Sequence, residues 1–157
     1  MLKKILQTNE NSAVLLLRVA LGLVLFPHGA QKLLGWFGGY GFEETMGFFT
    51  GTMHLPWIIG FLVIMIEFFG SLLLIAGLAT RITAFALIVN FIGIIFSSHI
   101  ENGFFINWRG GQQGEGFEYH LLVIGMAAAL LVNGAGRFSV DRIMANKYFL
   151  AGKPKLV

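Results

Sequence analysis

Four long stretches of this chain, about residues 12–34, 57–78, 82–98 and 118–133, are apolar and almost free of charge. In hydrocarbon, every backbone N–H and C=O must find its partner inside the protein, so such segments cross as helices or as closed barrels. A helix covers a core of about 30 Å with about 20 residues, and about 17 suffice at the short end. The first two stretches meet that length and the third is marginal; the fourth reaches it only by including Glu118, Tyr119 and His120. Composition agrees: hydrophobic residues make up 56% and charged residues 12%, against about 25% charge in a soluble domain. The expected fold is all-α, a polytopic four-transmembrane-helix bundle forming a single membrane domain over residues 1–157.

Lys3 and Lys4 precede an apolar run, as in a secretory signal. A polar stretch (7–12) separates them from it, Arg18 interrupts it, and no small-residue cleavage site follows, so an uncleaved first helix is expected. The chain has no cysteine, which excludes disulfides, thiol catalysis, haem attachment through Cys and Cys-ligated iron–sulfur clusters. With four crossings, one side holds Lys3, Lys4, Arg81, Arg137, Arg142, Lys147, Lys153 and Lys155, and the other only Lys32 and Arg109 beside five glutamates. The positive-inside rule then puts both termini, and a basic tail over 137–157, in the cytoplasm. A pI of about 9.5 reflects this rim against anionic lipid and does not point to nucleic acid.

The expected outer loops are unusual. Residues 42–53 read as a short interfacial helix, with Glu43 and Glu44 in its first turn and Phe42, Met46, Phe49 and Met53 on one face. Pro56 starts the second span. The loop 102–116 is rich in Gly and Gln and reads as flexible, whereas Ser139 is placed to cap a surface helix over 140–148.

Two charges lie inside the spans. A charge near a bilayer centre costs about 3 kcal/mol on insertion scales, so it is usually paired, wetted or functional. Arg18 either snorkels to headgroups or joins a buried polar network. Glu67 has no headgroup in reach, so it is protonated, partnered by Arg18 or Asn90, or part of a proton route. Helical side chains lean toward their own N-terminus, so Arg18 and Glu67, on antiparallel helices, lean apart; a direct pair needs help from tilt or water. Gly60, Gly70 and Gly77 read as positions of close helix contact.

All four histidines fall on the expected outer half, and every helix brings one: His28, one turn from Lys32, then His54, His99 and His120. Three readings stand: polar residues wetted by loops, a pocket hydrogen-bonding a ligand's carbonyl or hydroxyl, and a metal site. The metal reading is the weakest, because no H-x-x-x-H or E-x-x-H pair fixes a geometry. The candidate ligand site is His28, Lys32, His99 and His120 converging on one cavity beneath the 42–53 helix, with Lys32 able to stabilise a developing anion.

Arg18, Gly22, Phe26, His28, Gly29 and Lys32, followed by the short helix and then Glu67, Gly70, Leu74, Gly77, Leu78 and Arg81, resemble the DoxX family of small bacterial integral membrane proteins. Gly134, Gly136, Arg137, Ser139 and Asp141 resemble that family's end, so the resemblance spans about 12–142. It implies a four-helix bundle in the bacterial cytoplasmic (inner) membrane. It also implies a redox association, since relatives are linked to quinone-dependent thiosulfate oxidation and to membrane oxidoreductase assemblies. No catalytic residue set carries over.

Two function classes follow. One is a redox-associated or quinone-handling membrane subunit, its pocket lined by aromatics such as Phe26, Trp36 and Phe96, with quinone as the expected ligand. The other is a non-catalytic scaffold or accessory subunit that organises partner proteins or lipids. A small-solute transporter is weaker, because four helices seldom form an alternating-access path. Expected partners are membrane lipids, other oxidoreductase subunits and further copies of the chain.

Overall fold

The computed structural model describes Thr8 and residues 11–149; Lys3, Lys4, Lys153, Lys155 and the 150–157 part of the basic tail lie outside the described residues. Among the described residues the regular elements are all helical. Helix α1 (Ser12–Leu34) is capped by Asn11, whose side-chain oxygen accepts from the Ala13 N–H at 2.8 Å, and stops at Gly35 in the left-handed region. Helix α2 (Gly41–Gly47) runs on into a π turn (Phe48–Thr52), so the short helix covers nearly the expected 42–53. Helix α3 (Trp57–Ala76) follows Pro56. Helix α4 (Thr80–Ile94) is prolonged by a π turn (Ile95–His99) and a 3₁₀ turn (Ile100–Asn102). Helix α5 (Glu118–Asn133) and helix α6 (Val140–Phe149) complete the chain.

Three of these, Ser12–Leu34, Trp57–Ala76 and the continuous Thr80–Asn102, are long and apolar enough to cross a membrane. The fourth, α5, has 16 residues and rises only about 24 Å. The loop before it is folded. Its two legs are zipped together by Gly116 N–H to the Phe105 carbonyl (3.2 Å), Phe117 N–H to the Gly103 carbonyl (3.2 Å) and Glu118 N–H to the Phe104 carbonyl (2.9 Å). Glu118 and Glu115 accept from the Ile106 and Asn107 N–H groups at 3.0 and 2.7 Å. A Gly- and Gln-rich composition reads as flexible, but two glutamates placed to accept main-chain N–H groups hold this loop as a folded cover.

The bundle packs as two hairpin-like halves, α1 on α3 and α4 on α5, around Leu21, Leu25, Leu74, Leu87, Phe91 and Leu130. Large apolar side chains such as Leu16, Leu23, Phe69, Phe85, Leu122 and Val132 face outward, while Arg18, Glu67, Ser71, Asn90, His120 and Asp141 are buried. Apolar outside and polar inside is the distribution expected of a membrane bundle. The closest helix approach uses Gly22 and Gly29. A Cβ on Gly22 would meet the Ser71 carbonyl at 2.9 Å, and one on Gly29 the Phe68 backbone at 2.5 Å. The spacing alone points to the α3 glycines, but Gly60 makes room for Phe49 and Gly70 sits in ordinary contact with Thr83.

At one end, Gly77 turns the chain at φ 68° between α3 and α4, and Arg18 closes over it. The guanidinium donates from Nε to the Ala135 carbonyl (2.9 Å), from Nη1 to the Leu74 and Ile75 carbonyls, and from Nη2 to the Phe138 carbonyl (3.2 Å). Asp141 accepts from the Ala79 and Thr80 N–H groups at 2.7 and 2.9 Å and so caps α4. Ser139 accepts from the Arg142 N–H at 3.3 Å, the cap expected for α6. Arg18 is fully buried. It therefore neither snorkels nor meets Glu67; its donors join carbonyls at the end of α3 to carbonyls of the segment between α5 and α6.

Candidate functional site

The opposite end of the bundle holds the histidines. Glu67, 2% exposed, faces inward from α3. Its partner is Lys32 of α1, at 2.7 Å between Nζ and Oε2. The lean of helical side chains explains the choice: Lys32 leans back down α1 and Glu67 leans back up the antiparallel α3, so the two converge while Arg18 and Glu67 diverge. The Gly29–Phe68 contact brings the two backbones close enough for the pair to form.

This ion pair lies on the wall of a cavity of about 980 Å³, at the upper end of the range of about 300–1,000 Å³ usual for small-molecule sites. His28, Lys32, His99 and His120 all line it, as do Glu67, Asn90 and Tyr119. His54 does not; it is exposed in a left-handed turn before α3. The His99 and His120 rings are 4.2 Å apart, centre to centre, and Tyr119 sits 5.7 Å from His28. His99 Nδ1 is 2.7 Å from the Glu115 carbonyl, which ties the end of α4 to the covering loop. Phe48, Phe49 and Met53 line the cavity from the turn that follows α2, so the short amphipathic segment does form part of its roof.

The aromatic lining differs from expectation. Phe48, Phe49, Phe85, Phe91 and Tyr119 form it. Phe26 instead stacks on Phe68 at 5.8 Å, and Trp36 and Phe96 are largely exposed. Phe96 lies in the π turn that prolongs α4, outside the regular helical phase, and its ring is exposed.

Three buried polar atoms, each on a residue that lines the cavity, have no hydrogen-bond partner within the protein: Asn90 Nδ2, Tyr119 Oη and His120 Nδ1. Asn90 and His120 are 8% and 7% exposed. A buried donor or acceptor left unmade costs about 1–3 kcal/mol, and three such groups around one space are an arrangement that a ligand with carbonyl or hydroxyl oxygens satisfies. Asn90 and Tyr119 are the site residues that the histidine pattern alone does not single out. The signal was there: Asn90 is the one amide in the apolar run of α4, and Tyr119 directly precedes His120. Among the described residues no group of three or more His, Asp or Glu is placed to hold a metal ion.

Comparison with known proteins agrees with this architecture. "Putative oxidoreductase CatD" of Bacillus subtilis (strain 168) is 34% identical over 116 residues, covering 74% of this chain and 76% of the relative. "Inner membrane protein YqjF" of Escherichia coli (strain K12) is 30% identical over 144 residues, covering 88% of this chain and 97% of the relative. No solved structure matches the chain significantly. The DoxX family model matches residues 13–100, which takes in α1 to α4 and the Lys32–Glu67 pair, and this chain belongs to the DoxX family of membrane proteins.

Proposed function

We propose that the protein is a redox-associated subunit of the bacterial inner membrane that binds the head of a quinone in the histidine-end cavity. The observation that carries this reading is the set of three unpartnered buried groups, Asn90 Nδ2, Tyr119 Oη and His120 Nδ1, around one mainly apolar space. When bound, a quinone supplies carbonyl oxygens that accept hydrogen bonds and a ring that takes up electrons together with protons. Asn90 and Tyr119 are donors for such oxygens, and His120 Nδ1 is a third in its N–H tautomer. Lys32 and Glu67 stand beside them as a cation–carboxylate pair able to hold or move a proton at the same wall. His99, its ring tilted against that of His120 and bonded to the Glu115 carbonyl, positions the imidazole and the cover. The names of the relatives, one an oxidoreductase and one an inner membrane protein, support the redox and membrane parts of this reading. The basic residues Arg81, Arg137, Arg142 and Lys147 favour the Arg18 end as cytoplasmic, with both termini there.

The test is binding of a decyl-tailed benzoquinone to purified protein in lipid nanodiscs, followed by titration calorimetry. Each lost hydrogen bond is worth about 1 kcal/mol, so an Asn90→Leu, His120→Phe double variant that still folds should bind about 10- to 100-fold more weakly. Equal binding by wild type and double variant, or uptake no greater than that of empty nanodiscs, contradicts the reading. Protein that carries only phospholipid and ignores quinone would favour a scaffold role.

A further inference from the structure

The cavity is lined in part by residues exposed on the outside of the bundle, which the histidine cluster does not explain. Helices α3 and α4 are joined by the tight turn at Gly77 and stay in contact over the first turns: a Cβ on Gly70 would lie 3.4 Å from Thr83. Gly93 lines the cavity, yet a Cβ built on it meets nothing within 4 Å. Ile59 and Leu62 of α3 and Phe85 and Val89 of α4 also line the cavity, and they are 43–58% exposed. Residues that face both a cavity and the outside of a bundle are the lips of a gap, and this gap lies at the depth of the apolar spans. The aqueous end, by contrast, is roofed by Phe48, Phe49, Met53 and Ile106.

We propose that the cavity is loaded sideways from the bilayer through the α3–α4 gap, and that its ligand is a tailed isoprenoid quinone. The head lies against Asn90 and His120, and the chain lies in the gap past Gly93. This rests on the quinone reading above and adds the loading route and the tailed substrate class. The chemistry of the lips selects the occupant. Ile59, Leu62, Phe85 and Val89 offer no charge or hydrogen bond, and the cavity's lysine is already paired with Glu67. A phospholipid would have to drag a charged headgroup past apolar lips or leave it at membrane depth, which is costly. An uncharged carbonyl-bearing head on an apolar tail meets neither obstacle.

The experiment plugs the gap without touching the head site. Gly93→Phe introduces a ring where open space is available, at a helical position where glycine is a poor former, so the fold is retained; Gly93→Ala is the control. Wild type and both variants in nanodiscs are titrated with the decyl-tailed benzoquinone and with 2,3-dimethoxy-5-methyl-benzoquinone, which has the same ring and no tail. Gly93→Phe should weaken the tailed probe at least 10-fold and the tail-less probe less than 3-fold, with Gly93→Ala near wild type. Unchanged binding of the tailed probe, or equal loss of both probes, overturns the lateral route while leaving the quinone reading in place. If wild type takes up neither probe, the quinone reading itself fails and the route with it.

Discussion

Replacing Arg18 with leucine should abolish stable accumulation of the protein in membranes. The guanidinium joins the end of α3 (the Leu74 and Ile75 carbonyls) to the segment after α5 (Ala135 and Phe138). Leucine removes every donor; the Leu74 carbonyl keeps the Gly77 N–H, and the other three face a buried void. With about 1–3 kcal/mol for each buried group left unsatisfied, the loss should exceed about 3 kcal/mol, against a total stability of about 5–15 kcal/mol. Arg18→Lys should recover only part of it, because an ammonium cannot reproduce a planar fork that reaches carbonyls on two elements. Membrane yield and unfolding in mixed detergent–SDS micelles measure the effect. If Arg18 were merely snorkelling, leucine would be neutral or favourable; a change under about 1 kcal/mol would therefore contradict the clasp.

The second large effect is asymmetric. In the Lys32–Glu67 pair the lysine side chain is 27% exposed and the glutamate 3%. Lys32→Met strands a carboxyl that pairs with no other cation among the described residues, and stranding one member of a buried pair costs about 3–5 kcal/mol. Glu67→Met leaves a lysine that can turn toward the nearby mouth, so its cost should be smaller, about 1–2 kcal/mol. The double variant Lys32→Met, Glu67→Met should be more stable than Lys32→Met alone, because no charge is left unpaired. The same SDS titrations, arranged as a double-mutant cycle, check the order. Additive losses would show that the two groups act independently.

Much of this fold is legible in the residues, and the misses have physical causes. Hydropathy places the spans within a few residues, since the bilayer sets their length. It shortens the third, 82–98 against the helical Thr80–Asn102, because the extension depends on Asp141 capping α4 from 60 residues away and on a π turn that carries the helix through Ser97 and Ser98. The convergence of His28, Lys32, His99 and His120 follows from counting turns up each helix. The partner of Glu67 follows from the direction in which side chains lean, applied to Lys32 as well as to Arg18. The fate of Arg18 does not, because its acceptors are main-chain carbonyls, which every residue carries and no sequence marks. The lining aromatics are not legible for the same kind of reason: a helix of low amphipathicity, apolar all round, does not reveal which ring points inward.

Photolabelling tests most directly whether a quinone head lies against Asn90 and His120 in the histidine-end cavity. Membranes containing the protein are irradiated with a tailed benzoquinone carrying an azido group on its ring, and adducts are mapped by peptide mass spectrometry, with excess unlabelled quinone as competitor. Competable adducts are expected to concentrate in residues 85–99 and 115–120, the cavity-facing parts of α4, the covering loop and α5, and to be lost in the Asn90→Leu, His120→Phe variant. Adducts spread over outward residues such as Leu16, Leu23 and Val132, insensitive to competitor and to the variant, would contradict it.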